Sequence, residues 1–427
     1  MKDVVIIEGI RTPYAKAGTA FKDVPAEDLG AAVVKELVTR TGIDAQTIDE
    51  VIVGNAGMPA AVANIARVIA LRAGLPERIP AYSVQRNCAS GMQAAANAYV
   101  QILAGMSRIV LVAGVESMSN YGFYTTTKLR DVFTAITRAK SIGAKLAAAG
   151  SLRPKDFVPI PGLNLGLSDP ISGLNMGQTA EVLVRDFGIT RREQDDFALQ
   201  SHQRWAAANE AGKFKNEIIP FYVPPKFEAV EEDLGPRKNQ TSEALQKLPP
   251  FFDRRSGTVT AGNSSPITDG AAAALIMSAD KATELGYRAL GSIKAVAFAG
   301  LDPARMGLGP VFATHKALKI AGMKLADIEL LELNEAFAAQ VLACERAAVS
   351  KDFFKKYLNN DEPIGEFKND ILNVNGGAIA LGHPVGSSGL RIVITLLKEM
   401  ERRGLATGLA SICIGGGLGG AMIVERK

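Results

Sequence analysis

The chain has 427 residues, 47% of them apolar and 22% charged, an ordinary globular composition with enough length for two domains or one duplicated domain. Its formal charge of +4 suits an anionic small molecule and leaves no footprint for nucleic acid. Three cysteines make no disulfide framework, and no run of about 18 apolar residues offers a membrane span. With no signal-peptide pattern in MKDVVIIEGIRTPY, a cytoplasmic setting is expected.

Strand-like and helical runs alternate, the signature of an α/β layered fold. Val4–Glu8 reads as a strand, Ala26–Arg40 as an amphipathic helix, Glu50–Val53 as a strand closed by Gly54-Asn55, and Ala61–Arg72 as a helix. The stretch Ile79–Gly105 organises the rest. It reads as a short strand (Ala81–Val84), a polar turn (Gln85–Asn87) and a long Ala-rich helix, with Cys88 at the junction. A helix N-terminus presents unpaired N–H groups and the positive end of the dipole, which favour a thiolate. Most free cysteines are buried structural residues; here Ser90 and Gly91 leave room for a substrate. Ile109–Val115 is a buried strand.

From about Met118 to Pro250 the texture changes, with frequent Pro and charge and a helix over Arg191–Ala211. Such an insertion is surface elaboration, a lid or a binding loop. Inside it Lys128–Leu146 reads as one basic amphipathic helix, with Leu129, Val132, Phe133, Ile136 and Leu146 near one face. Packing of that face on its own protein is the favoured reading; contact with a membrane surface or a partner is the alternative. A second charged insertion, Lys351–Asp370, reads as solvated surface.

An internal repeat links the two ends of the chain. TGIDAQTIDEVIVGNA (41–56) aligns without gaps on AGMKLADIELLELNEA (321–336), and Ala89-Ser90-Gly91-Met92 matches Ser387-Ser388-Gly389-Leu390. Two related halves follow.

His202 and His315 lie in helix-like contexts and carry no special reading. His383 sits in NVNGGAIALGHPVGSSG, just before the helix that mirrors the Cys88 helix. Equivalent turns of two related halves can face one another, which brings an imidazole toward the thiol, the pairing that activates a cysteine nucleophile. Cys413 lies in CIGGGLGG, where a second thiol can serve as acid or base. The G-x-G-x-x-G match at Gly415, Gly417 and Gly420 has no helix after it, so it is no dinucleotide site; glycines there let backbone amides approach a reacting group. Asn334, at the end of the strand Glu329–Leu333, reads as an N-cap or as a group orienting a catalytic water. Cys344 is expected to be an inert core residue.

Five separated motifs now stand in order: RNCASGMQA around Cys88, GTVTAGNSSPITDGAAA (257–274), NEAFAAQ (334–340), NGGAIALGHPVGSSG (375–389) and CIGGGLGGA (413–421). Over nearly its whole length the chain resembles the thiolase family, which exchanges acyl groups between coenzyme A thioesters. The resemblance implies an α/β duplicated thiolase fold, five-layered αβαβα with an inserted loop domain. Residues 1–120 and 251–285 would form the N-terminal half, 121–250 the insert, and 286–427 the C-terminal half.

It also implies roles. Cys88 would carry the acyl group as a thioester and His383 would deprotonate it. Cys413 would move the proton on the second substrate. A water on Asn334, with His383, would form one oxyanion hole, and the amides of Cys88 and Gly415 the other. Ser265 would contact the pantetheine arm, Met176, Met306 and Phe337 would line the site, and Arg237 would meet nucleotide phosphates. No metal or redox cofactor is expected; acyl-CoA and coenzyme A are substrates.

Asn175, where short-chain biosynthetic members tend to carry His, and the insertion Thr125–Pro170, which resembles the thiolase subunit of fatty-acid oxidation complexes, favour degradation of 3-oxoacyl-CoA. The motif NEAF, where that branch usually shows HEAF, keeps a short-chain acetyl-CoA C-acetyltransferase in view. A carrier-protein-dependent ketoacyl synthase would use a Cys with two His. A non-catalytic acyl-CoA-binding homologue would have lost Cys88, His383 or Cys413. A homodimer or homotetramer is expected, and a hydratase/dehydrogenase subunit is a candidate partner.

Overall fold

The computed structural model describes residues 3–426. Its main strands are β1 (Val4–Arg11), β2 (Glu50–Asn55), β3 (Ala81–Val84), β4 (Ile109–Ser117), β5 (Thr268–Ser278), β6 (Gly291–Gly300), β7 (Leu330–Leu333), β8 (Thr407–Ile414) and β9 (Leu418–Glu425). They run in the order β7-β8-β9-β6-β1-β5-β4-β2-β3. The order contains the repeat. In β2-β4-β5-β1 the first pair is parallel and the next two antiparallel; β7-β8-β9-β6 has the same pattern. Within the sheet the halves join where β1 touches β6, at Val5↔Ser292 and Ile6↔Gly291.

The main helices are α1 (Ala26–Thr41), α2 (Ile65–Arg72), α3 (Ser90–Leu103), α4 (Thr127–Arg138), α5 (Ile142–Ala149), α6 (Met176–Phe187), α7 (Arg191–Glu210), α8 (Gly309–Ala321), α9 (Ala338–Ala348), α10 (Lys351–Leu358) and α11 (Val385–Arg403). Strand side chains alternate between faces, and here each face meets a different helix layer. Val5 and Ile7 pack with Leu29, Val33 and Ile69 of α1 and α2. Val4 and Ile6 turn inward to Met92 and Ala95 of α3 and to Leu390 and Ile394 of α11. In the second half Met422 and Val424 share that inner layer, while Ala421 and Ile423 face Val311 and Val341 of α8 and α9. These are the five layers of the αβαβα arrangement. Strands buried on both faces need apolar side chains at every position, which explains the unbroken runs in β4 and β5.

The inner helices α3 and α11 come together at their N-terminal ends through glycines. A Cβ on Gly91 would lie 2.9 Å from Gly386 O, and one on Gly389 would lie 2.9 Å from Met92 N. The turns preceding both helices, and thus Cys88 and His383, therefore lie at the same end of the layer.

The stretch expected as one insert, 121–250, divides. Residues 121–168 form a compact unit of their own, with few large buried side chains beyond Leu129 and Val132. Residues 169–250 belong to the main body, because α6 and α7 supply Leu183, Ala198 and Trp205 to its cores. The single helix expected over Lys128–Leu146 is instead α4 and α5. Ser141 breaks it by capping α5, its hydroxyl accepting from Ala144 N at 3.2 Å. Leu129 and Val132 are buried, whereas Phe133, Ile142 and Leu146 are exposed. The second insertion is also not all solvated surface: α10 buries Phe353 and Phe354 in the outer core. Among the described residues no helix is long and apolar enough to cross a membrane.

Candidate active site

The turn between β3 and α3 is tight enough to hold Asn87 at φ 43°, a left-handed conformation that Asn tolerates better than most side chains. Ser90 fastens it: its hydroxyl accepts from Arg86 N at 2.9 Å and donates to Asn87 O at 2.7 Å. Asn87 Nδ2 in turn donates to Gly415 O at 2.8 Å, joining this turn to the β8–β9 hairpin of the other half. There Gly416 and Gly417 take φ of 88° and 77°, and so the hairpin needs its glycines.

Cys88 is half-buried. Its sulfur accepts from the backbone N–H groups of Gly415 and of Cys88 itself. These bonds favour the thiolate, but burial outweighs them and Glu116 adds to it, so the thiol sits above its ordinary range. The helix-terminus argument alone therefore gives the wrong sign for the free side chain, because desolvation dominates. Such a thiol needs a base.

His383 is buried, 7% exposed. It follows Gly382, whose φ of 106° only glycine adopts readily, and its own N–H donates to Pro266 O at 3.2 Å. Nδ1 lies 2.6 Å from Ser388 Oγ, and Nε2 lies 3.5 Å from Asn334 Nδ2. Burial and the nearby Arg391 push the ring down to about 3. At neutral pH it is the uncharged imidazole, able to take a proton.

Cys413, at the end of β8, is 1% exposed. Burial raises its thiol well above the ordinary range, and the proximity of Cys88 and Cys344 adds to this. It therefore holds its proton. Cys344 is fully buried, donates to Gly307 O at 3.1 Å and is pushed up to about 12, an inert core thiol.

Asn334 is not an N-cap, since α9 begins only at Ala338. Its Nδ2 faces His383, and its buried Oδ1 has no hydrogen-bond partner within the described protein. Next to it, Glu335 accepts from Ser201 Oγ (2.7 Å), Asn373 Nδ2 (2.9 Å) and Ile379 N (3.2 Å), clamping the segment that leads to His383. Glu116 makes the matching bridge on the other side. Its carboxyl oxygens accept from Asn55 Nδ2, Ala56 N, Gly57 N and, across the halves, Gly386 N at 3.0 Å. Neither glutamate stood out in the sequence; a carboxylate ending a strand that is buried on both faces was the available signal.

Met176, Met306 and Phe337 form one apolar cluster with Cys413, Val259 and Ala336. Ser265 lies on a loop bonded to the same place, its N–H donating to Ala336 O at 3.0 Å. Arg237 is exposed, its backbone N–H donates to His202 Nδ1 at 3.2 Å and its carbonyl accepts from Gln240 N at 3.2 Å, neither of them in the thiol cluster. Among the described residues no group of three or more His, Cys, Asp and Glu is arranged to hold a metal ion.

Cys88 thus lies close to Cys413 and His383 beside Asn334, with the helices that follow Cys88 and His383 packed at their N-terminal ends; thiol, imidazole and side-chain amide are groups that covalent acyl transfer uses. The family models for the thiolase N-terminal domain and the thiolase C-terminal domain match residues 4–280 and 287–426, and the chain belongs to the thiolase family. It is 41% identical over 423 residues to a 3-ketoacyl-CoA thiolase of Yersinia enterocolitica, covering 99% of this chain and 96% of that one. A Pseudoalteromonas translucida protein of the same name is 40% identical over 423 residues, with the same coverage. Among solved structures, human mitochondrial 3-ketoacyl-CoA thiolase in complex with CoA aligns at TM-score 0.86 and 36% identity, covering 100% of this chain and 98% of that one. The Bacillus anthracis acetyl-CoA acetyltransferase aligns at 0.87 and 38%, covering 100% and 99%.

Proposed function

We propose that this protein is an acetyl-CoA C-acyltransferase, a 3-ketoacyl-CoA thiolase of fatty-acid β-oxidation. It cleaves 3-oxoacyl-CoA with coenzyme A to acetyl-CoA and a shortened acyl-CoA. The observation that carries this reading is the meeting of the Cys88 turn with the Cys413 hairpin through Asn87 and Gly415.

Each residue's chemistry follows from its environment. Cys88 Sγ attacks the 3-oxo carbon as its proton passes to His383. Because burial disfavours both free ions, proton transfer accompanies S–C bond formation rather than preceding it. The negative charge reaching the 3-oxo oxygen is met by fixed N–H donors, which need no reorganisation. Collapse of the adduct breaks the bond between carbons 2 and 3, and Cys413 gives its proton to the carbon-2 side, releasing acetyl-CoA. The Cys413 thiolate then takes the proton of incoming coenzyme A, whose sulfur attacks the acyl-Cys88 thioester; the chain-shortened acyl-CoA is freed as the Cys88 sulfur leaves and takes its proton back from His383. Met176, Met306 and Phe337 supply an apolar wall, with Ser265 beside it and Arg237 as the proposed phosphate contact.

The test is direct. Incubation with 3-oxoacyl-CoA should leave an acyl adduct on the peptide containing Cys88, detected by mass spectrometry, and Cys88→Ser should leave none. An adduct on another residue, or unimpaired turnover by the variant, overturns the assignment. The resemblance to the Bacillus acetyl-CoA acetyltransferase supports a second reading, an enzyme restricted to acetoacetyl-CoA. Thiolysis rates for esters of four to sixteen carbons separate the two.

The partner proposals have separate support. Among the described residues β3 pairs with β2 alone and is an edge strand, an arrangement that a second copy can extend, in keeping with a homodimer or a homotetramer. Residues 121–168 carry seven basic and two acidic side chains, so this unit alone accounts for the chain's net positive charge. With the apolar exposure of α5, that supports docking on an anionic membrane surface or on a hydratase/dehydrogenase subunit. Vesicle co-sedimentation with and without anionic lipid tests the first.

A further inference from the structure

His383 is engaged closely at Nδ1, and that engagement says where its proton lies. Ser388 Oγ is 2.6 Å from Nδ1 and 3.1 Å from the carbonyl of Pro384, one helical turn back. A carbonyl only accepts, and a serine hydroxyl has one proton to give. With that proton on Pro384 O, Ser388 Oγ is left as the acceptor for an Nδ1–H. On the other side of the ring an amide nitrogen, Asn334 Nδ2, faces Nε2 at 3.5 Å. At that distance the amide does not hold the ring, and with the one proton of the neutral imidazole on Nδ1 the lone pair lies on Nε2.

Burial sharpens the choice. Ser388 is fully buried, so no solvent competes for its hydroxyl, and an uncharged ring carries only one proton to place. We propose that Ser388 is a positioning residue that fixes the tautomer of His383, holding the proton on Nδ1 so that Nε2 is the basic atom offered to Cys88. This rests on the reading in which His383 is the base for Cys88. When the Cys88 proton arrives at Nε2, the ring becomes a cation whose Nδ1–H already has its acceptor, and nothing has to rotate. The tautomer and the ring plane are set by the atom behind the reacting nitrogen.

The experiment is a double-mutant cycle on the full-length protein, with Ser388→Ala, His383→Asn and the double variant. Its readouts are the rate of Cys88 alkylation by iodoacetamide against pH, the KM for coenzyme A and the melting temperature. Ser388→Ala should slow alkylation at neutral pH roughly tenfold or more and leave the KM for coenzyme A unchanged within about twofold. In the His383→Asn background it should add nothing beyond about twofold, since Ser388 acts only through the ring. Independent, multiplying effects, or alkylation by Ser388→Ala at the native rate, would overturn the proposal. The melting temperature separates these results from misfolding. If His383→Asn itself left alkylation unchanged, it would instead remove the parent reading of His383 as base.

Discussion

Asn87 and Gly415 lie 328 residues apart and share one hydrogen bond, Asn87 Nδ2 to Gly415 O at 2.8 Å. It is a bond between the two halves at the point where their functional turns meet, and its donor is held in the left-handed region. Asn87→Gly keeps the backbone conformation and loses only the side chain; Asn87→Ala loses both. Losing this part-buried hydrogen bond costs about 0.5–1.5 kcal/mol, and the strained φ adds about 1 more for Ala. Both variants should lower kcat, and Ala should also melt at the lower temperature. Native kcat in both would show that the bond does not hold the site together.

The close approach of α3 and α11 makes a second prediction. An added Cβ at Gly389 meets Met92 N and Ala89 Cα at 2.9 and 3.2 Å, so Gly389→Ala should cost about 1–3 kcal/mol by overpacking. It should also drive apart the turns bearing Cys88 and His383. Gly404, at φ 68° with open space around it, is the comparison. Gly404→Ala should lose about 1 kcal/mol of stability and keep native kcat. Equal loss of activity in the two variants would refute the geometric coupling.

The three thiols should differ in reactivity. Cys88 is half-exposed, Cys413 is 1% exposed and Cys344 is fully buried with its thiol pushed up to about 12. Limiting iodoacetamide should label Cys88 first and Cys344 last, and bound acetoacetyl-CoA should protect Cys88. Uniform labelling of the three, read by peptide mass spectrometry, would contradict an activated nucleophile.

His383 leaves a signature in stability against pH. Its ring is pushed from 6.5 to about 3, so between those values the unfolded chain binds a proton that the native ring refuses. That difference is absent above pH 6.5 and grows as pH falls through the window. His383→Asn removes it. Between pH 7 and pH 5 the variant should gain about 2 kcal/mol relative to the native sequence, at up to about 1.4 kcal/mol per unit. Buried acids with raised values, such as Glu332 at about 8, act in the opposite sense and cancel in the comparison. Parallel pH curves for the two proteins would mean that the native histidine titrates normally.

Local chemistry made part of this protein readable from its residues alone. The strand-turn-helix around Cys88, the glycine hairpin after Cys413 and the turn before His383 follow from backbone rules that act over a few residues. The duplicated layers follow from the spacing of 41–56 and 321–336. What the tertiary structure decided was everything set by distant neighbours. Burial reversed the ionisation expected of Cys88 at a helix start, and α9 began too late for Asn334 to cap it. Aromatic side chains drew α10 into the core, and residues 121–250 divided according to which helices had large apolar groups to bury. Glu116 and Glu335 acquired their partners only when the chain brought 386 and 379 to them. Desolvation and through-space hydrogen bonding depend on the packed neighbourhood, which no short stretch of sequence contains.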